Sequence, residues 1–573
     1  MESPALDEYD FIVCGGGTSG SVVASRLASD PNVSVLLIEA GQHSSLVEFT
    51  RMCGAWKQGF DTQHDWNITT EPCPGANNRC VKVSRGRYLG GCTGCNGTLC
   101  VRGVKQDYDD WGLPGWRGDE FWGYMTKAET FHPKEWFQHD EKNHGTDGPL
   151  HTAPFDAAPI THLLLDSMES QGMPKMPDMF TSGDTAQGCG HVVRTVHQGY
   201  RSTAADYVLG AKENLVVLTE TTVDKVNLTL EDGEWRASSV DVVDKEGAVR
   251  TVKARKEIVI SGGAYCSPAI LLRSGIGTRE EVESFGIESK VNLPGVGKNL
   301  LDHLIVFIFY QVSKPNITTD HLIYYPGGPA KAAQLWKDTK TGFLANFPFG
   351  AFGYARLHER LEDSPLWRDS PRKAGRDPMG LTPKQPNIEF FSTESYGGPK
   401  QYADQPFGGE STFSIIPELF SPASKGFVTL KSKDPLENPV VDHKYLEDPL
   451  DVLVLSEACR FANEIVMKGV GTKDIIQGSW PVESGHHEYT SREEWEPFLR
   501  KHATTCYHAG GTCKMGSSDD ELAVLDERLR VRGVKGLRVA DTSVMPTLNS
   551  GHTQMPAYGI GEKCAEMVKE DNM

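Results

Sequence analysis

Gly15, Gly17 and Gly20 stand in the spacing G-x-G-x-x-G, and the acid Glu39 follows roughly 20 residues later. Each residue type suits one task in holding a dinucleotide. Gly15 permits a tight turn, and Gly17 lets the backbone approach a pyrophosphate seated on the positive end of a helix. Gly20 allows helix and strand to pack closely, while the Glu39 carboxylate can accept a hydrogen bond from an adenosine ribose hydroxyl. The glycines alone are a weak signal, since any Gly-rich turn can mimic them. Their worth depends on the elements that position them.

Those elements are legible. Tyr9–Val13 is an apolar run of the length of a buried parallel strand, Val22–Leu27 continues as a helix, and Val33–Ile38 is a second strand ending on Glu39. A second glycine-rich stretch runs from Gly86 to Thr98, where small residues suit a backbone lying close against a flat ligand. Cys92, Cys95 and Cys100 cluster there, but no fourth ligand stands at a recognisable spacing, so no metal is expected. Ser261–Pro268 followed by Leu271–Gly277 reads as another strand, glycine turn and helix. Val539 ends a short apolar strand, placing Asp541 at its carboxyl end, where open α/β sheets bind ligands.

The 573 residues carry a formal net charge of −19, which argues against a nucleic-acid surface or an anionic membrane face. No apolar run reaches the length of a membrane span. Met1–Glu8 is short and acidic, unlike a secretory leader, and thirteen scattered cysteines fit reduced thiols better than a disulfide framework. An intracellular location, cytoplasmic or peroxisomal, is the expectation, although a secreted chain shorn of its leader would read the same.

Taken together, these motifs resemble the glucose–methanol–choline family of FAD oxidoreductases. Asp10–Val13 through Glu39-Ala40-Gly41 is similar to that family's opening, and Arg87–Asn96 to its first signature. Ser261–Gly277 is similar to the second signature, and Pro294–His303 to the segment returning to the cofactor domain. The resemblance implies FAD held by Gly15, Gly17, Thr18, Ser19, Gly20, Glu39 and Ala40. It adds Arg87, Gly90, Gly91, Cys92, Asn96, Gly97, Thr98 and Leu99, and further along Val223, Asp541, Thr553, Gln554 and Met555. Two departures stand out. Cys92 replaces a small hydroxyl residue or glycine, and Cys95 stands where some members carry a histidine bonded to the flavin. Histidyl attachment is therefore not expected.

The resemblance also assigns the chemistry. Two side chains facing the reactive flavin edge match His508, in Tyr507–Gly516, and His552, in Pro546–Pro556. A lone histidine is more often structural than catalytic, and the other sixteen, His191 and His303 included, keep that bland reading. A neutral imidazole can take a hydroxyl proton near pH 7, the role implied for His508. His552 would hold the oxygen in line and share its charge. Asp302 reads as a local cap, and Asp541 as part of the cofactor's phosphate–ribityl grip.

The implied fold is a Rossmann-like α/β FAD domain joined to an α+β substrate domain with an antiparallel sheet roofing the flavin. The domains read as 1–305, with substrate-domain segments around 155–200; 306–506 for substrate; and 507–573 returning with the catalytic histidines. The expected activity is oxidation of a primary small-molecule alcohol, aromatic alcohols included, with oxygen as acceptor and hydrogen peroxide as product. Within the family the chain is similar to fungal aryl-alcohol oxidases and formate oxidases. The latter place an arginine where His552 stands, and arginine grips a carboxylate better than histidine does. A dehydrogenase passing electrons to a quinone, a formate or aldehyde oxidase, and a lyase or cyclase keeping FAD structurally remain as alternatives.

Overall fold

The computed structural model describes residues 7–210, 212–398 and 404–572; the start of Met1–Glu8, part of the 312–405 stretch and Met573 lie outside them. Two eight-stranded sheets organise the chain. The first is built on β1 (Glu8–Cys14), with α1 (Thr18–Leu27) leading to β2 (Val35–Ile38). β1 pairs in parallel with β2 and with the long strand Val249–Ile260, so Phe11 faces Val35 on one side and Glu257 on the other. Leu215–Leu218 extends the sheet beyond β2 in parallel, and Leu537–Val539 joins Val249–Ile260 the same way. Thr221–Glu231 and Glu234–Asp244 add antiparallel pairs beside Val249–Ile260. The parallel part, covered on both faces, needs strands apolar on both, and Ile12, Val13, Val35, Leu36 and Leu37 are wholly buried. Each such aliphatic side chain contributes about 1.5–3 kcal/mol on burial.

The second strand begins later than its sequence suggests. Val33 belongs to a turn, its amide bonded to Asp30 O, and the Asp10 carboxylate accepts from Ser34 N–H at 2.8 Å. That side-chain bond outcompetes ladder pairing until Val35. The last helix, Gln554–Asn572, packs on α1.

The second sheet is antiparallel along Ile476–Ser479, Ile308–Val312, Ser411–Leu419, Ile388–Thr393, Phe349–Ala355 and Gly188–Gly190, with Leu304–Ile305 and Thr504–Thr505 at one end. Its members come from residues 188–190, 304–312, 349–419 and 476–505. The helix Pro449–Lys468 covers one face, started by Asp448, whose side chain accepts from Leu450 N–H at 2.9 Å, and by Pro449 in its first turn. The register sets Glu389 directly opposite Glu418. Like charges so placed repel, so neighbours must hold a proton or a positive charge against them.

Candidate active site

One cleft of about 2270 Å³, its open mouth included, runs from the glycine turn after β1 to the second sheet. Gly15, Gly17, Thr18, Ser19, Glu39 and Ala40 line one end. Gly91, Cys92, Asn96, Gly97, Leu99, Val223, Asp541, Thr553 and Gln554 line its length, and His508 and His552 the far end. The structure thus brings most of the expected residues to one surface.

Others stand behind it. Gly20 serves packing, since a Cβ there would lie 1.9 Å from Gly15 O. Arg87 stacks its guanidinium over Trp66 at 5.2 Å and is off the wall, where Arg85 stands instead. Gly90 and Thr98 hold the second glycine turn from behind, with left-handed φ of 95° and 65°. Met555, in the first turn of the last helix, is buried in the core. These five stand off the cleft wall and support the segments that form it.

The wall suits a dinucleotide. A Cβ at Gly17 would meet no atom within 4 Å, so its space opens onto the cleft at the start of α1, where a pyrophosphate is favoured. Both Glu39 oxygens are held by backbone, Gly16 N–H at 2.9 Å and Gly41 N–H at 2.8 Å, which fixes the carboxylate at the cleft edge. Asp541 accepts from Gly263 N–H and Ser267 Oγ–H at 2.9 and 2.6 Å, tying the end of its strand to the helix Gly263–Arg273. Gly17→Ala is expected to fold with a near-unchanged melting temperature as apoprotein and to lose bound FAD. Gly20→Ala is expected to cost about 1–3 kcal/mol through overpacking. Thermal melts paired with flavin absorbance separate the two.

The two histidines meet at right angles, ring centroids 4.6 Å apart and planes at 77°. His508 is carried just past Thr504–Thr505, and its backbone N–H donates to Asp302 Oδ1 at 2.8 Å. Tyr445 and Thr505 hydroxyls hold the other Asp302 oxygen at 2.6 Å each, so Asp302 positions the His508 backbone and does more than cap its own turn. His508 Nδ1 lies 3.0 Å from Glu418 Oε1, and His303 Nδ1 lies 3.0 Å from the same oxygen. Cys506 Sγ–H donates to Glu418 Oε2 at 3.3 Å. His552 Nε2 pairs with Glu389 Oε2 at 2.8 Å and stands 3.8 Å from Glu418 Oε2.

Charge follows from these contacts. Burial pushes His508 down to about 4, an effect that Glu418 opposes only in part. Burial would lower His552 too, but Glu389 and Glu418 more than offset it and raise it above its ordinary value. Glu389 is raised by burial, whereas for Glu418 the neighbouring histidines, His552 and His508 first, outweigh burial and hold it ionised. These contacts favour a neutral His508 and a protonated His552, with an ionised Glu418 behind both. Donor atoms of Glu418, Cys506, His508 and His552 lie within 4.8 Å of one another, a spacing that would also suit a metal ion. The contacts just described already satisfy them from one another.

Reading the sequence missed Glu389, Glu418, His303 and Cys506. The carboxylates sit in strands otherwise apolar, Ile388–Thr393 and Ser411–Leu419. An acid inside such a run was the available signal, because a buried charge needs a partner. His191 lies elsewhere, its ring against Trp136 and His162.

A mixed sheet with a glycine-turn cleft at its parallel part, opening onto paired imidazoles under a second sheet, is the build of a dinucleotide-cofactor oxidoreductase. Comparison with known proteins makes the class specific. Two models described as GMC oxidoreductase match residues 9–305 and 422–561. The chain is 32% identical over 573 residues to an oxygen-dependent choline dehydrogenase of Rhizobium rhizogenes, covering 98% of this chain and 95% of the relative. It superposes on formate oxidase of Aspergillus oryzae with a TM-score of 0.91 at 28% identity, covering 98% of each chain. On a fungal aryl-alcohol oxidase the TM-score is 0.81 at 23% identity, covering 99% of this chain and 100% of that one, a likeness of fold. The chain belongs to the GMC oxidoreductase family and is an FAD flavoprotein.

Proposed function

We propose that the chain oxidises a primary aromatic alcohol to its aldehyde, with oxygen as electron acceptor and hydrogen peroxide as product. The observation carrying this is the His508–His552 pair at the end of an aromatic run. Trp56 contacts Phe347 at 5.3 Å between ring centroids, Phe347 contacts Phe349 at 4.6 Å, and Phe349 contacts Phe391 at 5.1 Å. Phe391 then reaches His552 at 6.1 Å, and all five line the cleft. Such faces receive an aryl group by offset or edge contacts worth about 0.5–1.5 kcal/mol each beyond buried area.

FAD, when bound, supplies the hydride acceptor. The chain's own residues handle the proton and the charge. Neutral His508 is free to accept the hydroxyl proton, and Glu418 stabilises the imidazolium that results. Cationic His552 faces the oxygen as alkoxide character grows, held in orientation by Glu389. Asp302, by fixing the His508 backbone, keeps the base in reach. Formate is a poorer fit, because Arg194 is buried with its guanidinium committed to Phe349 O at 2.6 Å and Gly97 O at 3.4 Å.

A second reading has one observation in its favour. Aromatic faces also bind quaternary ammonium groups, and a relative is named for choline. The thirteen free cysteines support an intracellular, reducing location. Anaerobic titration with benzylic alcohols, choline and formate decides the substrate: a benzylic alcohol is expected to bleach the flavin at the lowest concentration. Aerobic turnover should consume oxygen and release peroxide. Bleaching by choline alone would transfer the assignment, and bleaching by nothing would remove the redox reading.

A further inference from the structure

The oxidation argued above gives two cysteines of the cofactor wall no chemistry of their own. Cys92, inside the single turn Gly91–Gly94, and Cys95, which directly follows it, are spaced Cys-x-x-Cys, both free, both half-buried and both on the wall of the cofactor cleft. A 3₁₀ turn places residue i+3 over residue i, and here Cys95 Sγ lies 3.6 Å from the Cys92 carbonyl oxygen. Arg85 lies close enough to act on the Cys92 sulfur, its guanidinium anchored on Tyr507 O at 2.7 Å and stacked over Tyr265 at 5.0 Å. Two adjacent thiols with a cation beside one of them form the arrangement in which a thiolate attacks and a neighbour resolves.

We propose that Cys92 and Cys95 are a peroxide-responsive dithiol–disulfide pair, Cys92 attacking and Cys95 resolving. The Cys92 thiolate attacks one oxygen of hydrogen peroxide; the O–O bond breaks, leaving a sulfenic acid on Cys92 and a hydroxide ion. The Cys95 sulfur then attacks the Cys92 sulfur; the S–O bond breaks, the S–S bond forms, and the departing hydroxide leaves as water with the Cys95 proton. Two electrons pass from the sulfurs to the peroxide, and an added dithiol returns them. As a source of peroxide the pair relies on the oxidase reading, while the step itself requires only the oxidant.

The two thiols are already differentiated. The Cys95 hydrogen bond, opposed in part by burial and helped by Arg85, brings Cys92 down to about 6. The same contact, with burial, pushes Cys95 well above its ordinary value. At neutral pH Cys92 is therefore the thiolate, and Cys95 keeps the proton that the leaving hydroxide needs. Cys14, Cys100 and Cys564, by contrast, are buried and held as thiols by desolvation.

The test uses FAD-loaded enzyme, reduced, desalted, exposed to a small excess of hydrogen peroxide, then alkylated and mapped by mass spectrometry. The peptide bearing Cys92 and Cys95 is expected to lose two hydrogens and both alkylation sites, and dithiothreitol should restore them. Cys95→Ser should yield a dimedone adduct on Cys92, and Cys92→Ser neither adduct nor disulfide. Alkylation of Cys92 in the reduced enzyme should saturate at a lower pH than alkylation of an ordinary thiol. Both thiols staying alkylatable after peroxide, or a disulfide forming first elsewhere, would overturn the proposal, and wild-type mapping alone decides this should a variant misfold. A parallel arm replaces added peroxide with alcohol turnover. Disulfide with added peroxide and none on turnover would count against the oxidase reading and leave the pair standing.

Discussion

His508→Ala is expected to slow anaerobic flavin reduction by roughly 10²- to 10⁴-fold, the range for losing a general base, with FAD content and melting temperature largely retained. The imidazole is held from behind by Glu418 and from the backbone by Asp302, and its replacement leaves the second sheet intact. His552→Ala should slow the same step by removing the charge that faces the oxygen. The double variant should lose less than the product of the two effects, because both groups act on one oxygen. Stopped-flow reduction by the best alcohol checks this, and near-wild-type reduction of FAD-loaded His508→Ala would remove His508 from the mechanism.

The pH dependence has a definite sign. His508 works as a base only when neutral, and burial holds it near 4. Reduction should therefore persist through neutral and mildly acidic pH and fall only as pH drops through about 4. A lowered histidine also makes the fold more acid-sensitive. The unfolded chain takes up this proton below about 6.5 while the native site resists it, so stability declines over that window as pH falls. Melting temperatures from pH 7 to 4 should show the decline before activity is lost.

The cofactor end of this site was written in the sequence because its constraints are local. A turn that must avoid a Cβ at Gly15 and Gly20 selects glycine at fixed offsets, and an acid at the end of β2 reaches the turn beside it. The chemical end was not so written. His508 and His552 could be singled out only by resemblance, since nothing in their own segments shows what lies opposite. Glu389 and Glu418 are neighbours through strand pairing, and no spacing along the chain encodes that register. His303 is 205 residues from the His508 ring it touches. Asp302 looked like a cap for the same reason: its partners Tyr445, Thr505 and His508 are remote in sequence. Val33 failed as a strand residue because a side-chain bond from Asp10 decided where pairing began.

Glu418 is where the largest hidden effect is expected. Its two oxygens meet His508, His303 and Cys506, and it faces Glu389 across the sheet. Glu418→Gln keeps the shape and removes the charge. The imidazolium formed on His508 then loses its counter-ion, and reduction is expected to slow roughly 10- to 100-fold, equal to weakening the base by about 1.4–2.7 kcal/mol. The acid limb of the rate profile should move to lower pH, since a carboxylate no longer favours the protonated ring. Glu418→Ala goes further, leaving buried imidazoles facing a void, and should destabilise the fold by about 3–5 kcal/mol, the usual cost of breaking a buried pair. The native carboxyl is lowered, so its own contribution is present above the unfolded value and lost as pH falls toward the native one. Wild type and Glu418→Gln should therefore differ most in melting temperature near neutrality and converge in acid. A constant gap across that range, or a Glu418→Gln enzyme reduced at the wild-type rate, would mean that the carboxylate fills space and no more.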